Sequence, residues 1–260
     1  MAILEVKNVC KSFKVSKKAP EVEVLRNINF NIEKGEFVTL LGPSGCGKTT
    51  LLTMIGGFQN PSSGEILLEG EKIEKPSSER GYVFQNYALF PWMNVEKNIL
   101  YSLKFSKMNK EEKKKRLEEL LEMSHLKGHE KKYPISLSGG MQQRVAVVRA
   151  LAPNPKILLL DEPLGAIDLQ MREHMQKELL QLVKESNSTI LMVTHDVSEA
   201  VYMSDRVIVM SLNKGEIVAD IKIDLKHPRE RDSIEYIEHV RELSNSVKKA
   251  FINEASIDKS

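Results

Sequence analysis

The chain has 260 residues, of which 41% are hydrophobic and 28% are charged, and its formal net charge is only +2. This composition allows one folded domain with a full core, and the weak net charge disfavours nucleic acid as the main partner. Apolar runs such as ILLL at 157–160 are too short to cross a bilayer, MAILEVKNVC lacks the features of a signal peptide, and Cys10 and Cys46 make no disulfide framework. We therefore expect a cytoplasmic protein that reaches a membrane only through a partner.

Short segments rich in β-branched residues alternate with segments of helical periodicity along the chain. This alternation predicts an α/β fold. In the first half it predicts a helix over 48–58 that Gly56 and Gly57 end, a polar loop at 17–21, and strands at 3–9, 24–33, 35–42 and 65–70. In the second half it predicts helices at 95–105, 110–126, after Gly140 and at 169–184, and strands at 156–160, 188–194, 206–211 and 216–224.

Residues 95–135 contain helical patterns with no strand between them, which indicates a helical lobe inserted into a sheet domain. We expect one domain, with a nucleotide-binding core at 1–85 and 155–230, a helical subdomain at 86–154 and a C-terminal helix at 231–260. The apolar stripe of that last helix would pack on its own sheet or on a second copy of the chain. The basic run at 107–116 is interleaved with acids and indicates a solvated helix face.

The segment GPSGCGKT, residues 42–49, matches the pattern G-x-x-x-x-G-K-[ST] between a predicted buried strand and a predicted helix. This context disfavours a glycine-rich turn that binds nothing. Lys48 can reach the β- and γ-phosphates of a nucleotide, the Thr49 hydroxyl can ligate Mg2+, and Thr50 can donate on the α-phosphate side. The predicted binding residues of this loop are Gly42, Pro43, Ser44, Gly45, Cys46, Gly47, Lys48, Thr49 and Thr50.

Two further strand ends carry candidate catalytic side chains. In KILLLDEP, residues 156–163, Asp161 ends a hydrophobic strand and would hold Mg2+, and Glu162 can orient or deprotonate an attacking water. In STILMVTHD, His195 follows a strand and could hydrogen-bond the γ-phosphate. Alone, the acidic pair could be a helix cap before Pro163, but together with the phosphate loop it indicates a metal site.

A second anion site is predicted in LSGGMQQR, residues 137–144. Ser138, Gly139 and Gly140 precede a predicted helix, so they would expose backbone N–H groups at a helix N-terminus. One chain with two phosphate-binding turns requires an explanation.

Together, these motifs resemble the nucleotide-binding subunit of an ATP-binding cassette (ABC) transporter, over nearly the whole chain to about residue 230. The resemblance implies a P-loop NTPase fold of the ABC type, with a mixed sheet core, an N-terminal antiparallel β subdomain and an inserted helical subdomain. It also implies that Phe13 stacks on adenine, that Gln85 in VFQNYALFP contacts Mg2+ or the attacking water, and that Asp168 in GAID links two sites across a dimer interface.

The resemblance further implies an ATPase with ATP and Mg2+ as its ligands, and it accounts for the two phosphate-binding turns. Two copies stack head to tail, so that each ATP lies between Lys48 of one chain and Ser138 to Gly140 of the other. ATP binding closes the dimer and hydrolysis releases it. The apolar segment 88–93 beside Gln85 would receive a helix of one of two membrane permeases, an external solute-binding protein would act indirectly, and the subunit would sit on the cytoplasmic face of the membrane.

Within the family, the segments at 79–99, 193–211 and 227–232 resemble the ATPases of nitrate, sulfonate and taurine importers. Importers of a thiamine precursor or of riboflavin are an alternative, and so is a soluble cassette ATPase that acts on nucleic acid or the ribosome. A soluble cassette ATPase of this kind lacks support because the sequence shows no second cassette and no long coiled coil. A P-loop kinase or GTPase is disfavoured, since no arginine-rich lid is present and NKGE at 213–216 is not a guanine-reading motif.

Overall fold

The computed structural model describes residues 2–14, 20–104, 106–164 and 169–255. The strands are β1 (Ala2–Lys14), β2 (Glu21–Glu33), β3 (Phe37–Leu41), β4 (Ser63–Leu68), β5 (Glu71–Lys72), β6 (Arg80–Val83), β7 (Ile157–Asp161), β8 (Thr189–Thr194), β9 (Arg206–Met210) and β10 (Ile217–Lys222). The helices are α1 (Lys48–Ile55), α2 (Val95–Ser102), α3 (Lys110–Met123), α4 (Gly139–Leu151), α5 (Leu169–Glu185), α6 (Val197–Met203) and α7 (Ile234–Ala255), with a 3-10 turn at Pro134–Ser136. Over these described ranges, every helix is too short or too polar to span a membrane.

The chain divides into two compact units. Unit 1 comprises Met1–Ser77 and Thr189–Ser260, and unit 2 comprises Ser78–Ser188. The core and lobe boundaries expected from the sequence differ from this division and stay a prediction.

Unit 1 contains an antiparallel sheet of order β2-β1-β4-β5 and the adjacent strands β10-β9-β3-β8. Strand β3 pairs in parallel with both β8 and β9, and Leu41 lies opposite Thr194 where β3 and β8 end. Every residue of β3 and β8 is buried, as expected for parallel strands covered on both faces. The carboxyl ends of these strands therefore lie at one edge of the unit 1 sheet.

The C-terminal helix α7 packs within unit 1, against α6, β9 and β10. Leu243 is fully buried and Tyr236 is almost so, and the Tyr236 hydroxyl bonds to Ser198 on α6. Of the two locations that the apolar stripe allowed, the structure places this helix on its own unit.

Unit 2 contains the parallel pair β6 and β7 with helices α2 to α5. Strand β7 is buried at every residue, and α4 packs on β6 and on α2. Asparagine caps two of its helices: Asn94 accepts from the backbone of α2, and Asn109 forms a capping box with Glu112 at the start of α3. These caps explain where two helices of the predicted lobe begin.

The predicted α/β fold is confirmed, and most predicted elements are present with shifted ends. The helices predicted at 95–105 and 110–126 end earlier, at Ser102 and Met123, and His125 has a left-handed backbone (φ 53°) that no α-helix continues through. The helix that Gly56 and Gly57 were predicted to end has Ile55 as its last residue and Gly56 as its C-cap, so that prediction is confirmed. Three short elements were not predicted, β5, β6 and α6, and the loop predicted at 17–21 lies mostly outside the described residues.

Candidate functional site

The loop at 42–47 connects β3 to α1 in unit 1, and close packing surrounds two of its three glycines, Gly42 and Gly47. Gly47, which caps α1, has φ of 96°, and a Cβ there would lie 2.6 Å from Leu25 Cδ2. A Cβ on Gly42 would lie 2.6 Å from the Met210 carbonyl oxygen. A larger residue at either position would displace the loop, so the sequence pattern reflects a steric need.

Lys48 closes this loop from the first turn of α1. Its side chain is 4% exposed, and Nζ donates to the carbonyl oxygens of Gly42 and Pro43, each at 2.8 Å. Cys46, within this loop, is buried, and burial raises the pKa of its thiol. Ser44, Gly45 and Thr49 are exposed, and Thr50 is half-buried, so one face of the loop is open to a ligand.

His195 follows β8 in the same unit, at the sheet edge from which the loop at 42–47 leaves β3. Its imidazole is exposed, whereas the residue before it, Thr194, is buried. The Thr194 hydroxyl donates to the Glu199 carboxylate and accepts from the Asp196 N–H at 3.1 Å. The Asp196 carboxylate in turn caps α6 at the Glu199 N–H. This closed set of bonds fixes the backbone on both sides of His195.

Phe13, the residue expected to stack on adenine, lies near the end of β1 in unit 1. Its ring is 38% exposed, and Lys11 Nζ lies 5.0 Å from the ring centroid. Part of an aromatic face is therefore available to a planar ligand.

In unit 2 the structure brings together the carboxylates that end β7 and the glutamine that follows β6. Asp161 is 7% exposed and accepts from the Tyr82 hydroxyl at 3.1 Å. Burial and the Asp161 carboxylate both raise the pKa of Tyr82, so this phenol stays protonated. Gln85 Nε2 donates to Glu162 Oε2 at 3.3 Å. Glu162 has a left-handed backbone (φ 44°), a strained conformation of a kind that clusters at functional sites.

The second predicted anion site, the turn at Ser138 to Gly140 that we call the signature turn, also lies in unit 2. Ser138 caps α4, with its hydroxyl accepting from the Met141 N–H at 3.3 Å, and Ser138 and Gly139 are exposed. Gln142 donates to the carbonyls of Pro134 and Leu137, which fixes the turn before the helix. The N-terminus of a 13-residue helix therefore faces solvent at Gly139 and Gly140, as an anion site requires.

Three residues that the sequence reasoning missed support this arrangement. Tyr82 bonds Asp161, buried Gln143 on α4 donates to the Pro163 carbonyl at 3.1 Å, and Arg149 on α4 holds the loop after Gln85. Asp168, which the family resemblance places at a dimer interface, lies outside the described residues. Each unit thus holds part of the predicted set: the phosphate loop, His195 and Phe13 in unit 1, and Gln85, Asp161, Glu162 and the signature turn in unit 2.

The predicted metal ligands are a hydroxyl (Thr49), an amide (Gln85) and a carboxylate (Asp161), and oxygen donors of this kind suit Mg2+. Over the described ranges, no three histidine, cysteine, aspartate or glutamate side chains form a cluster that could hold a metal ion. The chemistry of the three predicted donors fits a hard ion such as Mg2+.

Comparison with known proteins agrees with these motifs. The family model described as ABC transporter matches residues 25–165. An uncharacterized ABC transporter ATP-binding protein of Methanocaldococcus jannaschii is 44% identical over 94% of this chain and 91% of the relative. An aliphatic sulfonates import ATP-binding protein of Bacillus thuringiensis is 46% identical over 88% of this chain and 90% of the relative.

Solved structures give the same result. A dimeric ATP-binding cassette in a post-hydrolysis state, bound to ADP and Pi, is 35% identical with a TM-score of 0.71, over 86% of this chain and all of that one. CbiO1 of Clostridium perfringens, part of the ABC transporter complex cbiONQ, is 27% identical with a TM-score of 0.76, over 95% of this chain and 96% of that one. The chain therefore belongs to the ABC transporter family, as one of its ATP-binding, ATP-hydrolysing subunits.

Proposed function

We propose that this subunit powers an importer for a small solute by ATP-driven closure of a head-to-tail dimer. The observation that carries the proposal is the pair of phosphate-binding turns: the loop closed by Lys48 and the exposed helix N-terminus at Ser138. A single ATP needs only one such turn from its own chain. The second turn is explained if it binds the terminal phosphate of the ATP held by a twin subunit.

The residues divide the chemistry of hydrolysis among them. Lys48 and the N–H groups of its loop bind the triphosphate, and Phe13 stacks on the adenine. The oxygen of a water molecule attacks the γ-phosphorus, the bond to the β–γ bridging oxygen breaks, and ADP leaves with that oxygen. Glu162 takes the proton that the water loses, while Gln85 orients the water and His195 donates to a γ-phosphate oxygen.

Thr49, Gln85 and Asp161 would hold Mg2+ at this site. When bound, the ion supplies charge neutralisation on the β- and γ-phosphates. Tyr82 is a protonated donor toward Asp161, and this bond orients the carboxylate in the way that outer-shell partners orient metal ligands.

The negative charge of the γ-phosphate drives closure of the dimer. With ATP bound, the γ-phosphate of one copy attracts the helix N-terminus that begins after Ser138 in the other. Hydrolysis and release of phosphate remove that charge, so the two copies separate. Asp168 would connect the two sites across the interface. Chemistry at the phosphate is thereby converted into a movement of the subunits.

The movement of the subunits must be transmitted to the membrane permeases. The aromatic patch of Phe90, Trp92 and Tyr101, which follows Gln85 in the chain, is a suitable contact surface. Trp92 is 69% and Tyr101 43% exposed, and the Phe90 ring lies 5.6 Å from that of Trp92 and 4.7 Å from that of Tyr101. Such a patch suits a short amphipathic helix of a permease. Two permeases per dimer and an external binding protein complete the importer, with this subunit peripheral on the cytoplasmic face of the membrane.

The solute class rests on relatives, because the solute does not reach this subunit. The relative named for aliphatic sulfonates matches over 90% of its own length. A spermidine/putrescine import ATP-binding protein of Clostridium novyi is 49% identical, but the match spans only 60% of it. We therefore propose a solute of the sulfonate, nitrate or taurine class.

The test is the variant Glu162→Gln, which keeps the shape of the side chain and one acceptor oxygen for Gln85 but removes the base. We expect steady-state ATP hydrolysis to fall by about 100-fold or more, and gel filtration with ATP to show a dimer. Glu118→Gln makes the same change on the exposed face of α3 and should leave both properties unchanged. Normal turnover by Glu162→Gln would refute its role as the base.

A further inference from the structure

The loop between β6 and α2 has an unusual backbone. Tyr87 and Ala88 are consecutive, and both have positive φ, 60° and 46°. Left-handed conformations are unfavourable for residues with a side chain, and two in succession persist only where other groups hold them. Tyr87 is itself buried, so the turn is packed rather than free in solvent.

Arg149 on α4 stabilises this turn. Its Nη2 donates to the Tyr87 carbonyl and its Nη1 to the Ala88 carbonyl, each at 2.8 Å. The guanidinium carbon also lies 5.5 Å from the centroid of the Phe90 ring. Burial lowers the pKa of Arg149, but an arginine remains charged at neutral pH. The two nitrogens of the planar guanidinium bond two successive carbonyls at a fixed separation, which constrains their relative orientation more tightly than a single ammonium nitrogen would.

The two ends of α4 face two different parts of the site. The helix begins after Ser138 and reaches Arg149 about 15 Å further along its axis. Next to Arg149, a Cβ on Gly81 of β6 would lie 2.8 Å from the Ala150 carbonyl oxygen, so this end of the helix is pressed against the strand that leads to Gln85. The signature turn and the loop after Gln85 are thus attached to one rigid element.

We propose that Arg149 is a positioning residue that makes the loop 85–93 and the signature helix α4 move as one body. When the γ-phosphate of the twin subunit's ATP displaces Ser138, α4 moves with it. The Arg149 guanidinium then moves Gln85 and the aromatic patch of Phe90, Trp92 and Tyr101. This inference rests on the proposed function for the roles of Gln85 and of the aromatic patch. The link itself involves only bonds within unit 2.

The chain offers a matched control for loss of an arginine. Arg116 on α3 also donates to two backbone carbonyls of the same unit, to Leu151 at 3.1 Å and to Ala152 at 3.4 Å. These carbonyls lie at the end of α4 and not in the loop. Arg116→Met therefore removes similar bonds without releasing Tyr87 and Ala88.

Trp92 is the only tryptophan of the chain, and it lies in the loop that Arg149 holds. Its fluorescence anisotropy and its response to ATP therefore report on this loop alone. In Arg149→Met we expect lower Trp92 anisotropy and loss of the ATP-induced change in emission, whereas Arg116→Met should behave as the wild type. Arg149→Lys, which keeps the charge but not the fork, should change both signals in the same direction by a smaller amount. Wild-type Trp92 signals in either Arg149 variant overturn the proposal.

Kinetics test whether the link reaches the chemistry. We expect kcat for ATP hydrolysis to fall about tenfold or more in Arg149→Met, with KM within about twofold, because a misplaced Gln85 affects the transition state and not ground-state binding. In a Gln85→Ala background, Arg149→Met should cause no further loss of kcat. A full additional loss there overturns the positioning role. If Gln85→Ala alone leaves kcat unchanged, the proposed role of Gln85 fails, and the Trp92 signals still test the link.

Discussion

Replacing Lys48 by alanine separates two roles that its geometry gives it. In the structure, Nζ donates to the Gly42 and Pro43 carbonyls and so closes the loop without any ligand. In the proposed function, the same ammonium group binds the β- and γ-phosphates of ATP. The first role predicts an effect on the stability of the protein alone, and the second predicts an effect on its stabilisation by ATP.

The first effect follows from two hydrogen bonds of a charged, 4% exposed side chain. Their loss, partly offset by water entering the opened loop, lowers the free energy of unfolding by about 2 kcal/mol. For a chain of this length, that corresponds to a fall in melting temperature of roughly 4–8 °C.

The second effect follows from the charge contacts to phosphate. Their loss weakens ATP binding by about 2.7 kcal/mol, or roughly 100-fold in Kd. At an ATP concentration 100 times the wild-type Kd, ligand binding stabilises the wild type by about 2.7 kcal/mol and the variant by only about 0.4 kcal/mol. The melting temperature of the wild type should therefore rise by roughly 5–10 °C with ATP, and that of Lys48→Ala by about 1 °C.

Differential scanning fluorimetry with and without ATP and Mg2+ measures both effects in one experiment. Adenosine is the control ligand, because it has no phosphates and its small shift should not depend on Lys48. If Lys48→Ala melts lower without ATP but keeps a wild-type shift with ATP, Lys48 only closes the loop and does not bind phosphate.

Two further predictions concern residues that support the site. Glu199→Ala removes the carboxylate that binds the Thr194 hydroxyl, so kcat should fall about tenfold at unchanged KM, while kcat of Glu199→Gln should stay within about threefold of wild type. Neither change should lower kcat further in a His195→Ala background. Additive losses of kcat there would show that Glu199 does not act through His195. Asn98 is fully buried, its side-chain oxygen accepts from the Phe90 N–H at 2.9 Å, and the two hydrogens of its amide nitrogen are shared among the carbonyls of Phe90, Met93 and Asn94. Asn98→Ala should therefore lower the melting temperature by roughly 6–12 °C; a fall below about 2 °C contradicts this accounting.

Much of the fold was predictable because its signals are local. A buried apolar strand followed by glycines and a helix pattern placed the loop at 42–47 and Lys48. A serine and two glycines before a helix pattern placed the start of α4 after Gly140, and the helix begins at Gly139 with Ser138 as its cap. Such features depend on a few neighbouring residues. The sequence therefore identified the motifs and the order in which they occur.

What the sequence could not provide depends on contacts between distant residues. Helix α6 was missed because it has only seven residues and its last five are buried, so no amphipathic period is visible. The bond between Gln85 and Glu162, which are 77 residues apart, follows from the pairing of β6 with β7. Nothing near Arg149 in the chain indicates that it holds a loop some 60 residues earlier.

The central claim is that the signature turn acts on the ATP of the other subunit, and the double variant Glu162→Gln with Ser138→Arg tests it most directly. Sedimentation in ATP should show a dimer for Glu162→Gln and a monomer for the double variant, because the arginine blocks the helix N-terminus that faces the twin's γ-phosphate. At the same time, the affinity of the monomer for ATP should change by less than about threefold, since its own phosphate loop is intact. A double variant that still forms the ATP dimer, or one that loses ATP affinity as severely as Lys48→Ala, would contradict the claim.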